Sequence, residues 1–450
     1  MEGGLGLIFL HLGPGNREIT NFSSFFMGSM DPRSKGWLGE YLQFRQGLFQ
    51  DITSEGHKSA HPDFSLYRIM QPTGLMYGQP VTPFEHADSA SWTVKDRLKI
   101  LLAESLISSS LLFHEQPVKT PEEISALLMK TVDSINTFYK QVFPEMAASS
   151  TTLFGRKKTS LELAEQILER RVDHIEVKGN FWVHFFHNSL LFLDIFIYGQ
   201  WIHTNADKIV SDFFSYERDE LRTSLVKVMA VASHANHTVE FEERRLLEFF
   251  LQSTKLSNER KNECRAIFEK GILVEELDLP TSNSWILKKY FLEIAILTFW
   301  ADKRVQEAEL EILNRLASSM SFSGEDVENS LLAVEGFILE HWKELEHLSD
   351  NKSYEEVSRQ FIDRMAGITT KHKTKLLHDV RSWSELVNLL TRARSVELNV
   401  EEKNELRRML VEVLKKIPTF VIIALPHQFL TLPILMQVLP KNFIVESLEV

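Results

Sequence analysis

Few residues of this 450-residue chain have the types and spacing that catalysis or metal binding requires. The pair His184-Phe-Phe-His187 has a spacing that would suit two metal ligands on one helix. No nearby carboxylate shares their face, so the pair also fits two satisfied histidines in a core or interface. None of the 16 histidines falls in the His-Glu-x-x-His pattern of zinc hydrolases.

Motifs of other enzyme classes do not occur either. Gly3-Gly4-Leu-Gly6 lacks the preceding strand and the lysine of a phosphate-binding loop, and there is no Gly-x-Ser-x-Gly elbow. The single cysteine, Cys264, excludes an internal disulfide, and its charged neighbours predict a solvated thiol rather than a nucleophile. The sequence therefore predicts a non-enzymatic protein, with no small-molecule substrate and no cofactor beyond a divalent cation considered below.

Charge is distributed unevenly along the chain. The formal net charge of -12 argues against a general or sequence-specific nucleic-acid binder. From Lys371 onward, however, 12 Lys and Arg residues stand against 9 Asp and Glu residues, so the C-terminal part is mildly basic. A polyanion or an anionic lipid surface would be met by that part.

Helical periodicity dominates from Trp92 onward and predicts an all-α protein of several helix bundles. Helix starts with a capping box are predicted at Thr120, Thr159, Ser382 and Asn399. Residues Gln46 to Ser91 show no sustained hydrophobic period and are predicted to be a loop or mobile arm. Met27 or Met30 is predicted to be the natural start of the chain. The run from Phe181 to Trp201 is long enough to cross a bilayer, but its polar residues favour a buried core helix.

An internal repeat lies in the middle of the chain. Ala235 aligns with Ala301, an offset of 66 residues, and the register also matches Glu243 with Glu309 and Ser257 with Ser323. The region from about Leu221 to Ile338 resembles the TerB-like helical domain, whose repeat has an Ala-Asp-Gly turn and a later acidic residue. That resemblance implies divalent-cation binding at Asp302, Glu309 and Glu243, although Asn236 replaces the first Asp, and His237 and Lys303 replace the glycines.

The apolar segment from Ile417 to Leu439 is interrupted by prolines and allows three interpretations. It forms a single membrane-spanning helix, or two short helices broken at Pro426 and packed on the body, or a hairpin lying in a membrane interface. Basic residues around it are either a solvated face or a contact for a polyanionic partner; they are Lys371, Lys373, Lys375, Arg381, Arg392, Arg394, Lys415 and Lys416.

The motifs around the prolines of this segment resemble those of a second protein family. Lys416-Ile-Pro-Thr-Phe420, Leu425-Pro426, Leu432-Pro433 and Leu439-Pro-Lys-Asn-Phe443 resemble the ribosome-binding domain of the Letm family of mitochondrial leucine-zipper and EF-hand transmembrane proteins. The resemblance implies a helical C-terminal domain that associates with ribosomes or a membrane. The acidic residue usual between the second and third prolines is replaced by His427-Gln-Phe-Leu-Thr-Leu432, and no EF-hand loop occurs, which argues against cation exchange.

These observations predict four regions: an N-terminal arm (1–91, with a non-native extension before Met30), a helical domain (92–210), a TerB-like repeat domain (211–345) and a Letm-like domain (346–450). The predicted function is non-enzymatic association with a ribosome or membrane surface by a cytoplasmic bacterial protein, either peripheral or inserted at the inner membrane. The alternative is a TerB-like stress or sensor protein that binds a divalent cation.

Overall fold

The computed structural model describes residues 30–56, 62–78, 89–114, 116–151, 155–173, 181–202, 208–234, 241–254, 256–279, 284–301, 307–340, 342, 353–423 and 425–448. Within these residues the regular structure is helical, and the sole β-pairing is one antiparallel bridge between Thr151 and Lys157. The prediction of an all-α protein is confirmed. The chain forms two compact units, one ending at Phe291 and one beginning at Leu292.

Among the residues that the structure describes, eleven helices lie wholly or partly in the first unit. They are α1 Trp37–Phe44, α2 Gln46–Gly56, α3 Pro62–Met70, α4 Val94–Leu112, α5 Pro121–Val142, α6 Ser160–Asp173, α7 Phe181–Ile202, α8 Lys208–Ser233, α9 Phe241–Ser253, α10 Asn258–Lys270 and α11 Trp285–Ala301, the last of which continues into the second unit. The boundaries predicted at 91, 210 and 345 remain predictions.

Capping residues explain where several of these helices begin. The Thr120 hydroxyl accepts a hydrogen bond from the Glu123 N–H at 3.2 Å, and the Glu123 carboxylate accepts one from the Thr120 N–H at 3.1 Å. Thr159 and Glu162 make the same reciprocal pair before α6. These bonds satisfy amides that have no partner within the helix, so two of the predicted capping boxes are confirmed.

The interpretation of residues 46–91 as a loop or mobile arm is wrong for its described parts. Residues 46–56 and 62–70 form α2 and α3, and Phe49, Ile52 and Tyr67 are completely buried. Both helices are short and contain Gly, Ser or Pro, so no helical period stands out in the sequence. These segments become helical because their apolar side chains pack against neighbouring helices, which outweighs their weak local helix propensity.

Helix α7 is a buried core helix, as its polar residues indicate. Side chains from Asn188 to Gly199 are buried, and Asp194 is only 1 % exposed. Both Asp194 carboxylate oxygens accept hydrogen bonds from the Arg171 guanidinium of α6, and the Tyr139 hydroxyl donates to Asp194 at 3.3 Å. A buried carboxylate is tolerated here because it has a counter-ion and hydrogen bonds.

The charge of Asp194 also acts on a second buried arginine, Arg222. The side chain of Arg222 is buried, with Asp219 as its nearest carboxylate at 3.6 Å. Burial, followed by repulsion from Arg218, lowers the pKa of Arg222 to about 10. The Asp194 carboxylate opposes that shift, so it offsets positive charge from two arginines.

The environment of Cys264 differs from the prediction. Its side chain is fully buried in α10, although charged residues flank it in sequence. Burial raises the pKa of the thiol to about 11. The charged neighbours occupy the other faces of the helix, so the expectation of a solvated cysteine is wrong.

The repeat is visible in the helix boundaries. The second unit contains α12 Glu307–Ser319 and α13 Gly324–Glu340, and α12 spans positions offset by 66 from those of α9. The hydroxyls of Ser257 and Ser323 each accept a hydrogen bond, at 3.3 Å, from an amide three residues later, at the start of α10 and α13. The aligned serines are therefore equivalent N-caps.

After α13, the described residues of the second unit form seven more helices. They are α14 Tyr354–Lys371, α15 Lys373–Arg381, α16 Ser384–Ser395, α17 Val400–Leu414, α18 Pro418–Ile422, α19 Leu432–Val438 and α20 Phe443–Leu448. The capping box predicted at Asn399 is present, with the Glu402 N–H donating to its side chain at 2.9 Å. The one predicted at Ser382 is wrong, because that hydroxyl donates to the Asp379 carbonyl and α16 begins at Ser384 without a side-chain cap.

We expect Asp194→Asn to lower the free energy of unfolding of the first unit by about 3–5 kcal/mol, because it leaves Arg171 buried without a counter-ion. Urea denaturation followed by circular dichroism measures the change. The control is Asp133→Asn, an exposed position on α5, which should change stability by less than about 0.5 kcal/mol. Equal stability of the two variants would contradict the assigned role of Asp194.

Candidate partner surface on the C-terminal unit

Prolines divide the apolar segment into short elements. Pro418 occupies the first position of α18 and Pro433 lies in the first turn of α19, where a missing N–H costs little. Pro426 has an extended backbone and precedes a 3-10 turn over His427–Phe429. The segment thus consists of short helical elements separated at Pro426, as two of its three interpretations expected, and not of one continuous helix.

Close packing holds this segment on α13 and α14. A Cβ atom at Gly336 would lie 3.4 Å from Pro426 and 3.2 Å from Phe361, so the glycine leaves the room that these two side chains occupy. The ring of Phe361 also contacts that of Phe429, with centroids 4.7 Å apart. In the described parts of the chain, no helix combines the length and apolar composition that crossing a membrane would require.

Polar side chains complete the attachment by satisfying carbonyl groups at helix ends. The Gln428 amide donates to the Leu339 carbonyl of α13 at 3.1 Å, and the Thr369 hydroxyl donates to the Val438 carbonyl of α19. The Thr419 hydroxyl donates to the Asn329 side chain at 2.9 Å. The last four carbonyls of a helix lack partners within it, so these bonds are needed once the helix ends are covered.

The predicted basic run is engaged within the unit itself. Lys371 pairs with Glu328 of α13, and Lys373 pairs with Glu446 of α20 at 2.7 Å. Lys375 donates to the Lys416 carbonyl at 2.9 Å, just past the end of α17. These cations contact the unit's own carboxylates and carbonyls while Lys371 and Lys375 stay exposed, so the choice between a solvated face and a partner contact stays open.

The other predicted partner-binding residues have mixed environments. Arg381 donates to the Glu446 carbonyl at 2.6 Å, Arg392 pairs with Glu402, and Lys415 pairs with Glu412 at 2.7 Å. Lys416 is exposed. The side chain of Arg394 lies outside the described residues.

Lys375 and Arg381 donate hydrogen bonds to backbone carbonyls, which carry no formal charge and so do not neutralise them. We call Lys375, Arg381, Lys416 and Lys441 the cation cluster; Lys373 also lies 3.4 Å from the Lys441 carbonyl. Among the described residues, no member of the cluster forms an ion pair with a carboxylate. The cluster is thus an anion-attracting part of a chain that is acidic as a whole.

Sequence reasoning missed several residues that build this surface. Gly336, Asn329 and Glu446 belong to no motif, and Lys441 lies in the motif Leu439-Pro-Lys-Asn-Phe443 but was not among the predicted partner-binding residues. A usable signal was the pattern Phe443-Ile-Val-Glu446, an aromatic residue with an acidic residue three positions later, on one side of a helix.

Divalent-cation binding by Asp302, Glu309 and Glu243 remains a prediction. Asp302 and the side chain of Glu243 lie outside the described residues, as do the side chains of His184 and His187. Glu309 is buried, at 1 % exposure, in α12. Within the described residues, no group of three or more His, Cys, Asp or Glu side chains is arranged to hold a metal ion.

Comparison with known proteins gives partial matches. Over 122 residues the chain is 26% identical to co-chaperone protein DjlA of Vibrio cholerae serotype O1, covering 25% of this chain and 43% of that protein. Identity to DjlA of Vibrio vulnificus (strain YJ016) is 27% over 122 residues, 42% of its length, and identity to DjlA of Aliivibrio fischeri is 29% over 115 residues, 40% of its length. The chain thus spans about two fifths of these curated relatives. No protein-family model and no solved structure matches it.

We expect Thr369→Val to lower the free energy of unfolding of the second unit by about 1–3 kcal/mol, because the buried Val438 carbonyl loses its donor. The neighbouring Thr370→Val is a matched control, since Thr370 is exposed and both hydroxyls also bond the Ala366 carbonyl. Thermal unfolding of the two variants makes the comparison. A loss as large in Thr370→Val as in Thr369→Val would rule out the contact with α19 as the cause.

Proposed function

We propose that this chain is a non-enzymatic, all-helical adaptor of the co-chaperone type that associates with a ribosome or membrane surface. The observation that carries the chaperone-related role is the match of about a quarter of the chain to curated proteins named co-chaperones. The all-helical architecture is compatible with an adaptor that acts through its surface. The role of the whole chain is inferred from that part.

The cation cluster is the surface through which we expect the adaptor to contact its partner. Ribosomal RNA and anionic lipids both present dense phosphate groups, which Lys and Arg side chains attract without reading a sequence. The resemblance of the proline-spaced segment to a ribosome-binding domain makes the ribosome the first partner to test. Lys416 and Lys441 are the most suitable members to change, because their side chains are exposed and make no hydrogen bond among the described residues.

Co-sedimentation with purified ribosomes tests this surface. We expect the full chain to lose affinity from about 50 to about 200 mM salt, and Lys416→Glu/Lys441→Glu to lower the salt slope by about two, one for each phosphate contact removed. The control is Lys403→Glu/Arg407→Glu, which reverses the same charge at exposed positions of α17. Equal binding by both double variants would exclude the cation cluster, whereas pelleting only with anionic vesicles would assign it to membrane.

A refolding assay tests the chaperone-related role. We expect the chain to raise the yield at which an ATP-dependent chaperone refolds a denatured client enzyme, and to give no refolding when the chaperone or ATP is omitted. The readout is recovered client activity, with an equal mass of an unrelated acidic helical protein as control. A yield that is unchanged by the chain over a range of stoichiometries would contradict the co-chaperone proposal.

A further inference from the structure

The last described helix, α20, is bound in a groove between α15 and α16. Leu376 and Val380 of α15 are fully buried, and Phe443 of α20 is only 1 % exposed. Six residues are too few to form a stable helix in water, so contacts with the groove must supply the stability of α20. The groove therefore acts as a binding site for a short amphipathic helix.

Two cations of α15 hold α20 at positions eight residues apart. The Lys373 ammonium contacts the Glu446 carboxylate at 2.7 Å, and the Arg381 guanidinium donates to the Glu446 carbonyl at 2.6 Å. The first contact recognises a carboxylate placed three residues after the aromatic anchor. The second satisfies a carbonyl at the C-terminal end of the bound helix, where a positive charge is also favoured by the helix dipole.

A tight turn delivers α20 into the groove. Asn442 has a φ of 61°, and the Phe443 N–H donates to the Pro440 carbonyl at 3.0 Å. Asparagine adopts this left-handed conformation more readily than most residues do. The turn allows α20 to bind or leave without changing α19, whose Val438 carbonyl is held separately by Thr369.

The groove extends beyond the part that α20 occupies. An open pocket of about 530 Å³ lies along α15 and is lined by Thr374, Leu377, His378, Arg381 and Ser382. The imidazole of His378 is 86 % exposed, and Arg381 belongs both to this pocket and to the contacts of α20. A helix longer than α20 would reach the apolar side chain of Leu377 and the Arg381 guanidinium here.

We propose that this groove is a docking site for an acidic amphipathic helix of a partner protein, and that α20 is its intramolecular competitor. The partner helix would carry an aromatic anchor, a carboxylate three residues later and a further acidic residue facing Arg381. A tethered ligand acts at an effective concentration in the millimolar range, so α20 keeps the groove closed until a ligand with more contacts displaces it. The proposal goes beyond the co-chaperone role and does not depend on it.

Fluorescence anisotropy of a labelled peptide comprising residues 440–448 tests the groove. The unaltered chain is compared with Phe443→Ala/Glu446→Ala, in which the attachment of α20 is weakened. We expect the variant to bind the peptide about tenfold or more tightly than the unaltered chain, because its groove is open for a larger fraction of the time. Adding Lys373→Glu to the variant should abolish binding, and adding Lys403→Glu should not.

Either of two results would overturn the proposal. One is absence of peptide binding to a variant whose thermal unfolding matches that of the unaltered chain. The other is binding that Lys373→Glu leaves unchanged. Should the double variant fail to fold, Glu446→Ala alone gives the same comparison, because it removes an ion pair whose side chains are 31 % and 34 % exposed.

Discussion

Unpaired carbonyl groups at helix ends constrain the whole C-terminal unit. Three of its helices, α18, α19 and α20, have only five, seven and six residues, and in such short helices most carbonyls lack an intrahelical partner. Side chains distant in sequence meet that need: Gln428 at Leu339, Lys375 at Lys416, Thr369 at Val438 and Arg381 at Glu446. The same bonds that satisfy the backbone therefore fix the position of each element.

This arrangement gives the basic residues two roles at once. Lys375 and Arg381 stabilise the unit by donating to carbonyls, yet a carbonyl carries no formal charge and leaves theirs uncompensated. Lys416 and Lys441 lie beside them because their own carbonyls are the acceptors for Lys375 and Lys373. Structural capping thus concentrates positive charge in an otherwise acidic chain, and the proposed partner surface follows from that concentration.

The first unit is constrained by a different feature, the charged side chains buried in its apolar core. Asp194 lies on a helix that is otherwise almost free of formal charge, and it balances the buried Arg171 while favouring the charged form of Arg222. Such a cluster contributes little net stability compared with an apolar core, but loss of one partner is costly. The match to co-chaperones covers only a quarter of the chain, so the proposed role also requires the surfaces that the fold creates.

The sequence by itself determined the helical class, the capping boxes at Thr120, Thr159 and Asn399, and the repeat whose aligned serines cap equivalent helices, because these depend on contacts within a few residues. It also indicated that the proline-rich segment breaks into short helices, since a missing N–H acts locally. Only the tertiary structure decided that residues 46–56 and 62–70 fold as helices, that Cys264 is buried, and that the basic run binds Glu328, Glu446 and the Lys416 carbonyl. Those outcomes depend on residues tens of positions away, and hydrophobic period and charge pattern carry no information about such partners.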